Sequence, residues 1–129
     1  MIAFISSAYR GHSVVHEREH ARIACGMCLL AFKSGLVPFA SHLLYTQILD
    51  DENPAHRRFG IEAGHTVMSK CGAVYVYLPH IETSRGVQAD LELANRMGLP
   101  VVYVTFADVV EALKELSPSR LYAPIFAEQ

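Results

Sequence analysis

The alternation of short apolar runs with longer segments of helical spacing constrains this chain more than any other feature. Ala73 to Leu78 is a continuous apolar run with no polar alternation. A run of that kind is buried on both faces, as strands of parallel sheets are, whereas a half-solvated strand alternates. Ile2 to Ser6 and Val101 to Phe106 read the same way, the latter as another buried strand. Leu36 to Ala40 is a further strand, in which Pro38 marks an edge or entry position because proline has no N–H to give a ladder. Between these runs the period changes. Val15, Ile23, Met27, Leu30 and Ala31 recur at helical spacing across Val14 to Lys33, and Gly35 closes that helix. Pro54 fits the first turn of a helix running to about Lys70. Ser84 to Met97 is a helix closed by Gly98, and Ala107 to Leu116 is an amphipathic one. The remaining residues, Ser117 to Gln129, carry two prolines and are left unassigned.

Strands that alternate with helices need right-handed crossovers and place helices on both faces of a parallel sheet. The expectation is therefore α/β: a single domain over residues 1–129. Its architecture is a three-layer sandwich around a parallel, Rossmann-like (flavodoxin-like) sheet of four to five strands in the order 2-1-3-4. Ligands of such sheets bind beyond the carboxyl ends of the strands, where the strand order reverses. Here the reversal falls between strands one and three, which predicts a site on the loops Ser6 to Gly11 and Pro79 to Gly86.

Composition narrows the partners. Half the residues are hydrophobic (51%), enough for a real core, and the formal net charge of −2 offers no footprint for a nucleic acid polymer or an anionic membrane. The apolar runs are too short to span a bilayer, and the first residues read as a strand rather than a charged leader. Three cysteines cannot all pair within one chain, which favours a reducing compartment and a cytoplasmic location.

The two loops supply the candidate chemistry. Ser6, Ser7, Tyr9, Arg10 and Gly11 offer hydroxyls, a phenol, a guanidinium suited to a phosphate or carboxylate, and a permissive glycine. Ser84 and Gly86 open a helix whose first N–H groups favour an anion. Asp90, four residues after Gly86, could attack a sugar carbon or stabilise an oxocarbenium ion there. His42 follows the second strand toward the same edge, where it could donate to a ligand, orient Asp90, or simply bond the backbone. Asp50 to Glu52 reads as an exposed acidic turn. No metal or cofactor is expected. His16-Glu17-Arg18-Glu19-His20 has the form H-E-x-x-H, but a stretch this charged at the start of a crossover helix should be mostly solvated, and it lacks a third ligand. Cys25-Gly26-Met27-Cys28 sits in mid-helix, away from the N-terminal position that activates a redox thiol, and reads as buried core thiols.

Several segments together resemble small bacterial and phage proteins related to nucleoside 2-deoxyribosyltransferases. The most specific stretch is Gly35 to Tyr45, continuing through Gln47, Leu49, Asp50, Asp51 and Pro54 to Arg58 and Gly60. Ala8 to Gly11 and Ser84-x-Gly86 share in the likeness, which covers about residues 2–105. The resemblance implies cleavage or transfer at the N-glycosidic bond of a deoxynucleoside or deoxynucleotide, a small-molecule partner, and a homo-oligomer whose subunits complete each other's pockets. Apolar residues from Tyr122 to Phe126 are consistent with such an assembly. It gives the carboxylate four residues after the motif glycine the catalytic role. Relatives usually carry Glu there, whereas this chain has Asp90, shorter by one bond of about 1.5 Å. Tyr9 and His42 would orient Asp90 and the sugar, while Ser6, Ser7, Arg10, Gly11, Ser84 and Gly86 would hold hydroxyls or a 5′-phosphate. The shortened carboxylate leaves two readings open: an enzyme with a retuned pocket, or a domain that binds a nucleotide or nucleotide-derived signal without turnover.

Overall fold

A computed structural model describes residues 1–116. Four parallel strands form one sheet in the order β2-β1-β3-β4. They are β1 (Ile2–Ser6), β2 (Val37–Phe39), β3 (Ala73–Tyr77) and β4 (Val101–Val104). The helices are α1 (Val14–Lys33), α2 (Ser41–Leu44), α3 (Pro54–Met68), α4 (Arg85–Arg96) and α5 (Phe106–Leu113), with 3-10 turns at Tyr45–Gln47 and Leu78–His80. In register, Ala3 lies opposite both Pro38 and Ala73, and Val76 lies opposite both Ser6 and Tyr103. Pro38 sits on the edge strand, where its missing N–H costs no ladder bond.

All five residues of β3 are buried, because helices cover both faces of the sheet. Along β1 and β3, Ala3, Ile5, Tyr75 and Tyr77 pack with Met27 and Ala31 of α1 and Val109 of α5. Their neighbours Phe4, Val74 and Val76 pack on the other face with Met68 of α3 and with Val87 and Ala94 of α4. This two-residue alternation continues to the carboxyl ends of the strands, so Ser6 and Tyr77 leave the sheet on opposite faces. Gly26 lets α5 approach α1 closely: a β-carbon there would stand 3.2 Å from a methyl of Val109.

The helix boundaries follow from their caps. Ser13, Asn53 and Ser84 each accept a backbone N–H in the first turn of α1, α3 and α4. Gly35 (φ 79°) and Gly98 (φ 69°) take the left-handed conformation after α1 and α4. In each case the next residue reaches back, Leu36 N–H to the Ala31 carbonyl and Leu99 N–H to the Ala94 carbonyl, both at 3.0 Å.

Three expectations are corrected. The strand expected over Val101 to Phe106 ends at Val104, because Thr105 and Asp108 form a reciprocal capping box that starts α5. It is not buried throughout: Val102 and Tyr103 are 41% and 49% exposed, since among the described residues β4 pairs with β3 alone. The thiols of Cys25 and Cys28 are half-buried rather than buried. Packing against the core still pushes the Cys28 thiol up to about 12, with Cys25 beside it adding to the shift. Among the described residues no helix is long and apolar enough to cross a membrane. Tyr122 to Phe126, on which the assembly expectation drew, lies outside the described residues.

Candidate functional site

The carboxyl ends of β1 and β3 open into one cavity of about 1070 Å³. Tyr9, Arg10, His42, Ser84, Gly86 and Asp90 line it, with Ser7 and Gly11. Ser6 lies beneath this lining, fully buried. The strand-order reversal thus gathers residues from the first loop, α2 and α4 around a single space.

On the α4 side of the sheet, Ser6 Oγ donates to Asp90 Oδ2 at 2.7 Å. Asp90 is set deep against the cavity wall, and burial raises its carboxyl from 3.8 to about 6. The Ser6 hydrogen bond and the charge of His65 on α3 hold it back from rising further. Nearby, Gly64 of α3 keeps the wall thin: a β-carbon would come within 3.6 Å of Ser41 Oγ. Ser84 Oγ accepts from the Val87 N–H at 3.3 Å, so its acceptor capacity serves the helix cap while its proton stays available to a ligand. A β-carbon on Gly86 would meet only Ser84 Oγ, at 3.8 Å, so its lack of a side chain leaves cavity space open.

The other side is built of imidazoles. All seven histidines of the chain line this cavity, a convergence no single motif announced. His42 Nε2 and Ser7 Oγ share a hydrogen bond of 2.9 Å. His80, in the turn after β3, accepts the Ala8 N–H on Nδ1 at 3.0 Å. His20 Nδ1 donates to the Tyr9 carbonyl at 3.1 Å, and His16 Nδ1 accepts the His12 N–H at 3.1 Å. Ring contacts link His16, His20, His80 and Tyr77 in sequence, with centroids 4.3, 4.9 and 4.6 Å apart. Burial, then the neighbouring imidazoles, lowers both His42 and His80 to about 4.

The expected solvation of the His16–His20 stretch is therefore wrong at its end. His20 is only 7% exposed, because its ring packs between His16 and His80 and bonds the Tyr9 carbonyl. Gly11 differs from expectation in its means: its φ is not positive, and it is needed for space. A β-carbon there would stand 2.6 Å from His16 Nδ1. Arg10 Nε meets Asp51 Oδ2 at 2.9 Å across the cavity mouth, both side chains about half exposed, so the guanidinium and the acidic turn face each other. Among the described residues no group of three or more His, Cys, Asp or Glu side chains has metal-binding geometry; His16, His20 and His80 meet in tilted and edge-on ring contacts.

His65 and His80 carry no motif in the sequence, and His20 reads there only as the end of a solvated stretch. For His20 and His80 a signal existed: His16 and His20 are one turn apart, and His80 follows the strand that ends at the switch point. Residues 1–104 match the family model described as a domain of unknown function, DUF7768. No curated protein matches the chain.

Proposed function

The chain belongs to the DUF7768 domain family, and from its cavity we propose that it acts on the N-glycosidic bond of a deoxynucleoside or deoxynucleotide. The observation that supports this most is the part-buried pairing of Ser6 with Asp90 at the strand-order reversal. A carboxyl raised to about 6 is mostly ionised at neutral pH, yet it is desolvated enough to be a better nucleophile or electrostatic partner than one in water. Ser6 fixes one oxygen and leaves the other for the sugar.

In the reaction, the C1′–N bond breaks with its electron pair going to the base, which takes a proton from solvent. Asp90 forms a bond to C1′, or stabilises the cation there. Water then replaces the carboxylate, its hydroxyl remaining on C1′ and its proton passing to solvent; a second base in place of water gives transfer. Tyr9 and His42 orient the carboxylate and sugar, and Arg10, Ser84 and Gly86 face the sugar hydroxyls or a 5′-phosphate.

One feature favours the second reading, nucleotide binding without turnover. The aspartate is short, and one of its two oxygens is already engaged by Ser6. Incubation of the whole chain with deoxynucleosides and their monophosphates, with chromatography for free base, separates the readings. Release by the native chain and its loss in Asp90→Ala is the expected result. Undiminished release in that variant, or none with any substrate, refutes the enzymatic reading. In Asp90→Glu, newly gained activity identifies a domain that only binds, and impaired activity identifies a retuned enzyme.

A further inference from the structure

We propose that His16, His20 and His80 form a proton-linked anion subsite on the α1 side of the cavity, which takes the phosphate of a phosphorylated ligand. This deepens the reading above, and rests on it, in naming the charge of the ligand that enters the same cavity.

The first support is hydrogen-bond direction. His16 and His80 each accept a backbone N–H on Nδ1, so each neutral ring carries its proton on Nε2. Both line the cavity, and Nε2–H is the donor each has to offer. His20 is opposite in sense: its Nδ1–H is committed to the Tyr9 carbonyl, and Nε2 is its basic nitrogen. Protonating His16 or His80 would turn Nδ1–H against a backbone donor. Protonating His20 on Nε2 breaks no hydrogen bond. His16 and His80 thus present Nε2–H donors, and His20 presents an Nε2 that no hydrogen bond among the described residues occupies.

The second support is the absence of an internal counter-ion. The first loop brings Tyr9 and Arg10 to these rings, and α1 with its approach brings His12 and Glu17. From β3 and α2 come Tyr77 and His42, and from α4 come Arg85 and Asp90. Asp51 and Asp90 are the carboxylates of the cavity lining, and both are engaged elsewhere, Asp51 with Arg10 and Asp90 with Ser6; Glu17, in the adjoining cleft, accepts the Gly11 N–H at 3.4 Å. None of the ion pairs among the described residues involves a histidine. A row of imidazoles in ring contact, with Arg10 beside it and no carboxylate to pair with, suits an oxyanion brought by the ligand. Gly11 adds to this, since any side chain there would displace the His16 ring.

Calorimetric titration of the whole chain with deoxyribose 5-phosphate, with deoxyribose and with inorganic phosphate tests the proposal, in two buffers of different ionisation heat from pH 7 to 8.5. Over that range deoxyribose 5-phosphate is already dianionic, its second pKa being about 6, so its pH slope belongs to the protein, whereas inorganic phosphate still titrates there and serves for affinity alone. Expected are binding of both phosphate probes, uptake of up to one proton, and weakening by up to about tenfold per pH unit. His20→Asn keeps an amide N–H for the Tyr9 carbonyl and deletes the basic nitrogen, so it should bind without proton uptake and without the slope. His16→Ala, at a surface-accessible site, should bind several-fold more weakly with the slope unchanged. Binding that shows no proton uptake, a slope that survives His20→Asn, equal affinity for deoxyribose, or no binding of either phosphate probe overturns the proposal. Proton-linked phosphate binding without base release from any nucleotide would leave the subsite standing and remove the glycosidic reading.

Discussion

Replacing Asp90 by Asn should make this protein more stable, and only above a definite pH. The carboxyl titrates near 6 in the folded chain, against about 3.9 when unfolded. Between those values the folded state holds a proton that the unfolded state has released, so stability falls as pH rises from about 4 to about 6 and is flat beyond. The shift from 3.8 to about 6 corresponds to about 3 kcal/mol. Water reaching the cavity wall screens part of that, leaving about 2 kcal/mol as the cost of the ionised group. Asparagine keeps an oxygen for the Ser6 hydroxyl and a similar volume, and it carries no charge to bury.

The assay is thermal unfolding of both chains at pH 4 and pH 7.5. Near pH 4 the two midpoints should coincide within about 2 °C, since native Asp90 is protonated in the folded state. At pH 7.5 the variant should melt higher by about 6–10 °C, at roughly 3–5 °C per kcal/mol for a domain of this size. A gain at neutral pH paired with lost base release would mark a group kept for chemistry at the expense of stability. A difference independent of pH, or a variant less stable at pH 7.5, would refute the reasoning, because desolvation would not then be what raises this carboxyl.

Three further outcomes follow from the packing. Met27→Ala, at a fully buried position where α1 meets the sheet, should cost about 2–5 kcal/mol, read as a lower denaturant midpoint with little change in slope. Thr105→Ala removes one half of the box in which Asp108 N–H donates to Thr105 Oγ1 at 3.1 Å, and should cost about 1 kcal/mol in the same measurement. Arg10→Gln should change stability by less than about 0.5 kcal/mol, because its pairing with Asp51 is largely exposed; weaker ligand binding in this variant would then report lost contact with the ligand.

The layered frame was legible because its signals are local and redundant. The span of α1 read from spacing is the span observed, and Gly35 and Gly98 close their helices through backbone geometry that depends on a few residues. Strand order then placed the cavity, since the reversal point follows from topology alone. What escaped depends on how elements cross. The exposure of Val102 and Tyr103 reflects which neighbours β4 has, and no residue within that run encodes this. The pairing of Arg10 with Asp51 joins a loop to a turn forty-one positions away, and each alone reads as a solvated charge. His20 shows the same limit: four charged or polar neighbours argue for solvent, and contact with His80, distant in sequence, and with the Tyr9 carbonyl, on another loop, decides otherwise.

The two sides of the cavity are governed by one physical cause acting with opposite sign. Burial penalises whichever form carries charge, so it lifts the Asp90 carboxyl to about 6 and drops His42 and His80 to about 4. At neutral pH the carboxylate is ionised and these two imidazoles are not, so neither one neutralises it. Had the imidazoles been cationic, they would add positive charge to the cavity that faces Asp90. Kept neutral, they can donate N–H groups to a ligand while the carboxylate keeps its charge, as the proposed reaction requires. That division needs Ser6 and Tyr77 to leave the sheet on opposite faces, one toward α4 and the other toward α1, which is what alternation along two adjacent parallel strands provides.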